Sequence, residues 1–169
     1  YSVGGGLTCG SVVTQDTIKQ GLGLFSWETL GGIHNYTLAY TFLDYCRIQK
    51  GDEEPGFYKT VLNETSKLGF NNVYALMDTA VFSTQKEVLL SFRLANVVQS
   101  PTGVYGYKGK RTLGALSNPS IVDFSLGSGG AVYYVGTPAD VSAFTPKGES
   151  SSSGLGKNIV FYKINGSSE

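Results

Sequence analysis

The sequence predicts an all-β chain, and three observations carry that prediction. The 169 residues are 41% hydrophobic and hold 23 glycines, 11 tyrosines and 9 phenylalanines against 5 prolines. That balance suits short strands joined by tight turns. The apolar runs are rich in Tyr, Thr, Val and Phe and are broken at alternate positions by polar residues, the period of a strand with one buried face. A Leu-Gly turn followed by a Val-Tyr or Ile-Val-aromatic run occurs three times, as LGFNNVY, LGSGGAVYY and LGKNIVFY.

In chain order, DTIKQGLGLF (16–25) is the one stretch that opens like a helix, with Asp16 or Thr17 as its cap. Gly21 and Gly23 stop it early. HNYTLAYTFLDYCRI (34–48) reads as a strand that alternates over part of its length. EVLLSFRLANVV (87–98) reads as a long strand with polar breaks at Ser91, Arg93 and Asn96. AVYYV and NIVFYKI are short strands bounded by glycine or Ser/Asn clusters. GESSSSGLG (148–156) is a loop of low complexity. No linker divides the chain, so residues 1–169 are expected to form a single domain.

The Leu-Gly turns belong to longer units. Each opens on a proline near a glycine: Pro55 with Gly56, Pro101 with Gly103, and Pro146 with Gly148. The spacing of about 45 residues is that of a repeat architecture. Each unit would be a small antiparallel sheet unable to bury its face alone. Three around one axis would share a core, with the first and last segments completing one another.

EEPGFYKT (53–60) and DFSLGSGGAVYYVG (123–136) carry a resemblance to the multivesicular-body-associated β-prism family, over residues 50–165. The resemblance implies a three-fold pseudo-symmetric β-prism of antiparallel sheets. It also implies binding of acidic membrane lipid through a basic loop. The β-trefoil and the β-sandwich are the alternative folds. The unrepeated N-terminal third and the glycosylation signals depart from the family, whose typical members are cytosolic.

Thirteen basic and thirteen acidic residues leave no net charge. Bulk attraction to nucleic acid or membrane is therefore not expected, and any electrostatic binding must come from a local patch. YGYKGKRTLG (105–114) is the one concentrated basic stretch. Lys108, Lys110 and Arg111 offer two ammonium groups and a guanidinium fork for phosphate or sulfate, and Tyr105 and Tyr107 suit an interface. The plainer reading is a solvated hairpin tip. The family resemblance places the lipid-binding loop here.

Three N-x-S/T triplets, at Asn35, Asn63 and Asn165, point to a secreted glycoprotein, whereas Asn118 is excluded by its proline. A chain that starts at Tyr1 reads as a mature or trimmed product, and no signal-like or membrane-spanning run occurs. Cys9 and Cys46 are the only cysteines. In an oxidising compartment they form one disulfide, worth about 3–4 kcal/mol in the chain-entropy model. The alternative is two buried free thiols. With His34 as the only histidine, no four-ligand zinc set exists, and neither metal nor cofactor is expected.

The remaining motifs are weak. GDEEPG (51–56) lacks the alternating ligand spacing of a calcium loop and reads as an acidic turn. GTPAD (136–140) has the Gly-x-x-x-Asp spacing of some sugar-binding turns, without their aromatic residues, and reads as a turn. GLGKN (154–158) lacks the Ser/Thr of a phosphate loop. GSGG (127–130) leads into a β-type run, where no helix N-terminus helps to hold phosphate. No G-x-S-x-G occurs. A pair such as Asp44 with Glu28 is not selected by its spacing. The expectation is a secreted, non-enzymatic, lectin-like or lipid-binding recognition domain, with a membrane surface, glycan or polyanion as ligand. The alternative is a structural subunit of an extracellular assembly, self-associating by strand exchange through its glycine-rich N-terminal segment.

Overall fold

The described residues form five α-helices and no β-strand. A computed structural model describes residues 21–26, 32–51, 56–114, 126–144 and 159–164. The helices are α1 (Gly32–Lys50), α2 (Gly56–Asn63), α3 (Phe70–Ala75), α4 (Gln85–Val98) and α5 (Pro138–Ala143). The all-β expectation is overturned, and with it the β-prism and both alternative folds.

The stretch read as the first strand is α1. Its buried residues Leu38, Phe42, Tyr45 and Ile48 recur at helical spacing, whereas Tyr36, on the alternating pattern, is 65% exposed. The long second strand is α4, where Val88, Phe92 and Ala95 are fully buried. Thr84 caps this helix, its Oγ1 accepting from Glu87 N at 3.2 Å, and Glu87 reaches back to Ser83 N and Oγ at 2.7 and 2.9 Å. The T-x-x-E pattern of a capping box is therefore written at 84–87. Magnitudes explain why β-type composition did not decide the matter. Helix propensities of Tyr, Thr, Phe and Val differ from the best formers by at most about 0.7 kcal/mol per residue. Full burial of a side chain such as Leu38 or Phe92 contributes about 1.5–3 kcal/mol.

The proposed repeats do not repeat in space. After Leu68, Gly69 does take a positive φ of 58° with ψ −132°, a conformation open to glycine, but the chain then enters α3 and no strand. After Leu126, a turn closes from Gly130 N to Gly127 O at 2.8 Å and no strand leaves it. The third Leu-Gly lies outside the described residues. So do Pro55 and Pro146, while Pro101 opens an irregular loop. Short α2 buries Phe57, and Asn72 Nδ2 donates to Val61 O and Glu64 O at 2.7 and 3.2 Å, using carbonyls freed at the end of α2.

The chain divides into two compact units, Tyr1–Tyr133 and Tyr134–Glu169. The core of the first is a chain of ring contacts. Phe25 stacks on Phe70 at 5.3 Å, Phe42 meets Phe70 and Phe92 edge-on at 5.4 and 5.1 Å, and Tyr45 joins Phe92 to Tyr107 at 5.6 and 5.9 Å. In the second unit, GTPAD is the start of α5. Thr137 Oγ1 accepts from Asp140 N at 3.2 Å, Asp140 Oδ2 accepts from Thr137 N at 3.1 Å, and Pro138 opens the helix. The Asp140 carboxylate is committed to this cap. The Thr137 hydroxyl and backbone N–H hold its pKa below the ordinary value.

Candidate functional site

The expected ligand-binding turn exists, and the fold uses most of it internally. Lys110 N donates to Tyr107 O at 2.9 Å across a turn whose central residues, Lys108 and Gly109, have φ of 49° and 70°. Positive φ at both positions is the signature of a type I′ turn. Three bonds clamp the loop to α1: Tyr45 OH to Val104 O at 2.8 Å, Gln49 Nε2 to Gly106 O at 2.8 Å, and Lys108 Nζ to Gln49 O at 3.1 Å. Tyr107, expected at an interface, is 1% exposed, and its hydroxyl donates to Asn96 Oδ1 at 2.6 Å. Tyr105, Lys108 and Lys110 do reach solvent.

Arg111 turns inward to Asp44, a carboxylate with no exposure. Asp44 Oδ1 accepts from Arg47 Nε at 3.0 Å, Arg47 Nη2 at 2.8 Å and Tyr58 OH at 3.2 Å, while Oδ2 accepts from Arg111 Nε. Arg111 Nη2 donates to Tyr40 OH at 2.8 Å, and its guanidinium lies over the Tyr40 ring at 5.4 Å. Burial pulls the Arg111 pKa down, and the hydrogen bond and charge of Asp44 more than restore it. The guanidinium fork expected to meet phosphate is thus occupied by a carboxylate of the same chain. One acidic group holds α1, α2 and the turn together.

A different arginine has no such partner among the described residues. Arg93 lies on α4 at 6% exposure. Its Nη2 donates to Leu22 O at 3.2 Å and to Gly129 O, and its Nε makes no hydrogen bond. No carboxylate pairs with it among the described residues. Burial lowers its pKa, opposed in part by the neighbouring Tyr133. Asn96, one helical turn on, spends its Oδ1 on Tyr107 and leaves Nδ2 unpartnered. Burial raises the pKa of Tyr133. Its hydroxyl stands close enough to Arg93 and Asn96 for both to favour its anion, yet makes no hydrogen bond of good geometry.

Two glycine segments roof this cluster. Gly21–Gly23 and Gly127–Gly130 pack backbone against backbone, with Phe25 N donating to Ser128 O at 3.1 Å. A Cβ on Gly127 would lie 3.1 Å from Gly23 Cα, and one on Gly130 would lie 2.5 Å from Gly21 O. The glycines of SLGSGG therefore serve a close approach. The sequence does mark Arg93, as a charge inside the apolar run EVLLSFRLANVV. The period-two reading turned that charge outward.

The other expected site residues are dispersed. Cys46 is a free thiol with no exposure, and Cys9, its expected partner, lies outside the described residues. Burial pushes the Cys46 thiol well above its ordinary range. Cys46 should therefore resist a thiol reagent in the native protein and react on unfolding. Peptide mapping after alkylation with and without urea checks this, and fast native modification would contradict it. Asn35 sits on α1 at 3% exposure with both amide atoms enclosed, so the native fold does not present that triplet. Asn63 is exposed at the end of α2, and Asn165 lies outside the described residues. Among the described residues there is no metal-ligand cluster, and no helix is long and apolar enough to cross a membrane.

Among the described residues, the first unit is a helical core built around buried charge. The chain matches no protein-family model, no curated protein and no solved structure.

Proposed function

We propose that this protein is an anion-binding domain whose seat is Arg93, and that its ligand presents an oxyanion: a phosphate, sulfate or carboxylate group. The observation that carries the reading is a guanidinium at 6% exposure with an unspent Nε and no carboxylate partner among the described residues. An unneutralised ion costs several kcal/mol to bury. Two carbonyls satisfy part of its hydrogen bonding without cancelling its charge. A bound water would do no better, whereas an oxyanion supplies both acceptor and charge. Asn96 Nδ2 and Tyr133 OH are further unspent donors at the same place.

The exposed turn is the weaker seat. An ammonium group near an anionic surface contributes about 1 kcal/mol, so Lys108 and Lys110 alone hold a protein there only transiently.

Thermal unfolding in phosphate, sulfate or acetate, against chloride at matched ionic strength, tests the proposal. At least one oxyanion should raise Tm. A ligand at about a hundred times its Kd stabilises by about 2.7 kcal/mol. Arg93→Met should abolish that increment, each variant being compared with itself so that its baseline stability does not matter. No Tm shift with any oxyanion, or an equal shift in Arg93→Met, would falsify the proposal.

A further inference from the structure

We propose that an oxyanion bound at Arg93 unlatches the Gly127–Gly130 turn from the Gly21–Gly23 segment, coupling ligand binding to a local opening of the fold. This coupling rests on the oxyanion seat proposed above and concerns what the ligand does once bound. Arg93 Nη2 carries two N–H groups. They donate to Leu22 O at 3.2 Å and to Gly129 O, so one nitrogen ties the two segments together. Nε, on the same edge of the guanidinium, makes no hydrogen bond.

A guanidinium grips an oxyanion best with two N–H groups of one edge. Arg47 holds Asp44 by this edge, with Nε at 3.0 Å and Nη2 at 2.8 Å. An oxyanion seated on Arg93 in the same way takes Nε, which is unspent, and one Nη2 hydrogen, which is not. A carbonyl must then give way, because a charged acceptor outcompetes a neutral one for a buried cation. Burial selects Gly129 O. Gly21, Leu22 and Gly23 are buried, whereas Gly127, Gly129 and Gly130 are half-buried and Ser128 is exposed. The turn's carbonyl finds water when released, and that of Leu22 would be left buried and unpaired. Three of the turn's four residues are glycines, so few side-chain contacts oppose its release. Its other backbone tie to the first stretch, among the described residues, is Phe25 N to Ser128 O at 3.1 Å.

Amide hydrogen exchange of the full chain, read at Phe25, tests this. It is measured in chloride and in whichever of phosphate, sulfate or acetate raises Tm. Loss of one hydrogen bond to a charged group should speed Phe25 exchange at least about tenfold in the oxyanion. The amides of Phe92 and Ala95 in α4 should exchange no faster. Arg93→Lys keeps the charge without the fork, and in it the oxyanion should leave Phe25 exchange unchanged. An oxyanion that raises Tm yet leaves wild-type Phe25 exchange unchanged or slower overturns the latch and leaves Arg93 as an oxyanion seat. An equal acceleration in Arg93→Lys also overturns it, because release would not then come through the fork. If none of the three anions raises Tm, seat and latch fall together.

Discussion

Asp44→Asn should lower the unfolding free energy by about 3 kcal/mol, the low end of the cost of breaking a buried ion pair. The carboxylate has no exposure and serves three donor residues on three segments: Arg47 on α1, Tyr58 on α2 and Arg111 beyond the turn. An asparagine keeps the shape and one acceptor, but its amide N–H₂ would face an arginine that also donates. Two guanidiniums would then share a site that loses the one carboxylate both are paired with among the described residues. Their side chains are 10% and 22% exposed, so water recovers part of the loss. That partial hydration is why the low end of the range applies. Urea titration reads the effect as a lower midpoint with an unchanged slope, and thermal unfolding as a drop of roughly 6–12 °C. A loss below about 1 kcal/mol would show that the cluster behaves as a surface ion pair.

Gly106→Ala should cost about 3 kcal/mol, the upper part of the usual range for overpacking. A Cβ at this position would overlap the Ser100 carbonyl oxygen and lie 2.6 Å from the Ser100 carbonyl carbon. Neither is the end of a flexible side chain, so backbone must move. The movement would be felt along the clamp. Ser100 N donates to Tyr105 O at 3.0 Å, Gln49 holds Gly106 O, and Tyr107 fills the core beside Tyr45. Gly109→Asn is the contrast. Gly109 has φ of 70° with open space around it, and asparagine tolerates that conformation. It should cost less than about 1 kcal/mol. Equal losses for the two variants would mean that the turn is restrained by its dihedral angles and not by contact with Ser100.

Several local features were legible in the sequence. The positive φ at Gly69 and the turn around Gly109 follow from glycine itself. GTPAD, read as a turn, caps and opens a helix. The T-x-x-E pattern at 84–87 announced α4 to a helical reading, and the alternation of Ser91 and Arg93 masked it. In α1, Tyr36, Leu38, Tyr40 and Phe42 alternate as a strand would, while Leu38, Phe42 and Tyr45 recur as a helix would. Both periods were present, and only packing could choose between them.

The candidate site was less legible than the fold. The basic turn drew attention because its charges are adjacent in sequence. Yet Arg111 is neutralised by Asp44, 67 residues away, and Tyr107 is buried by α1 and α4. Arg93 draws its importance from Leu22, Gly129 and Tyr133, none near it in the chain.

Composition by itself determined that this chain has enough apolar surface for a core, no bulk charge to recruit a polyanion, and glycines where the backbone must turn or close up. Those properties belong to single residues and their immediate neighbours. Tertiary structure alone decided that the two long β-type runs are helices, that among the described residues Arg111 meets a carboxylate and Arg93 does not, and that two glycine segments pack together beside Arg93. Burial of a side chain outweighs local propensity several-fold, and the cost of a charge depends on which distant groups share its site.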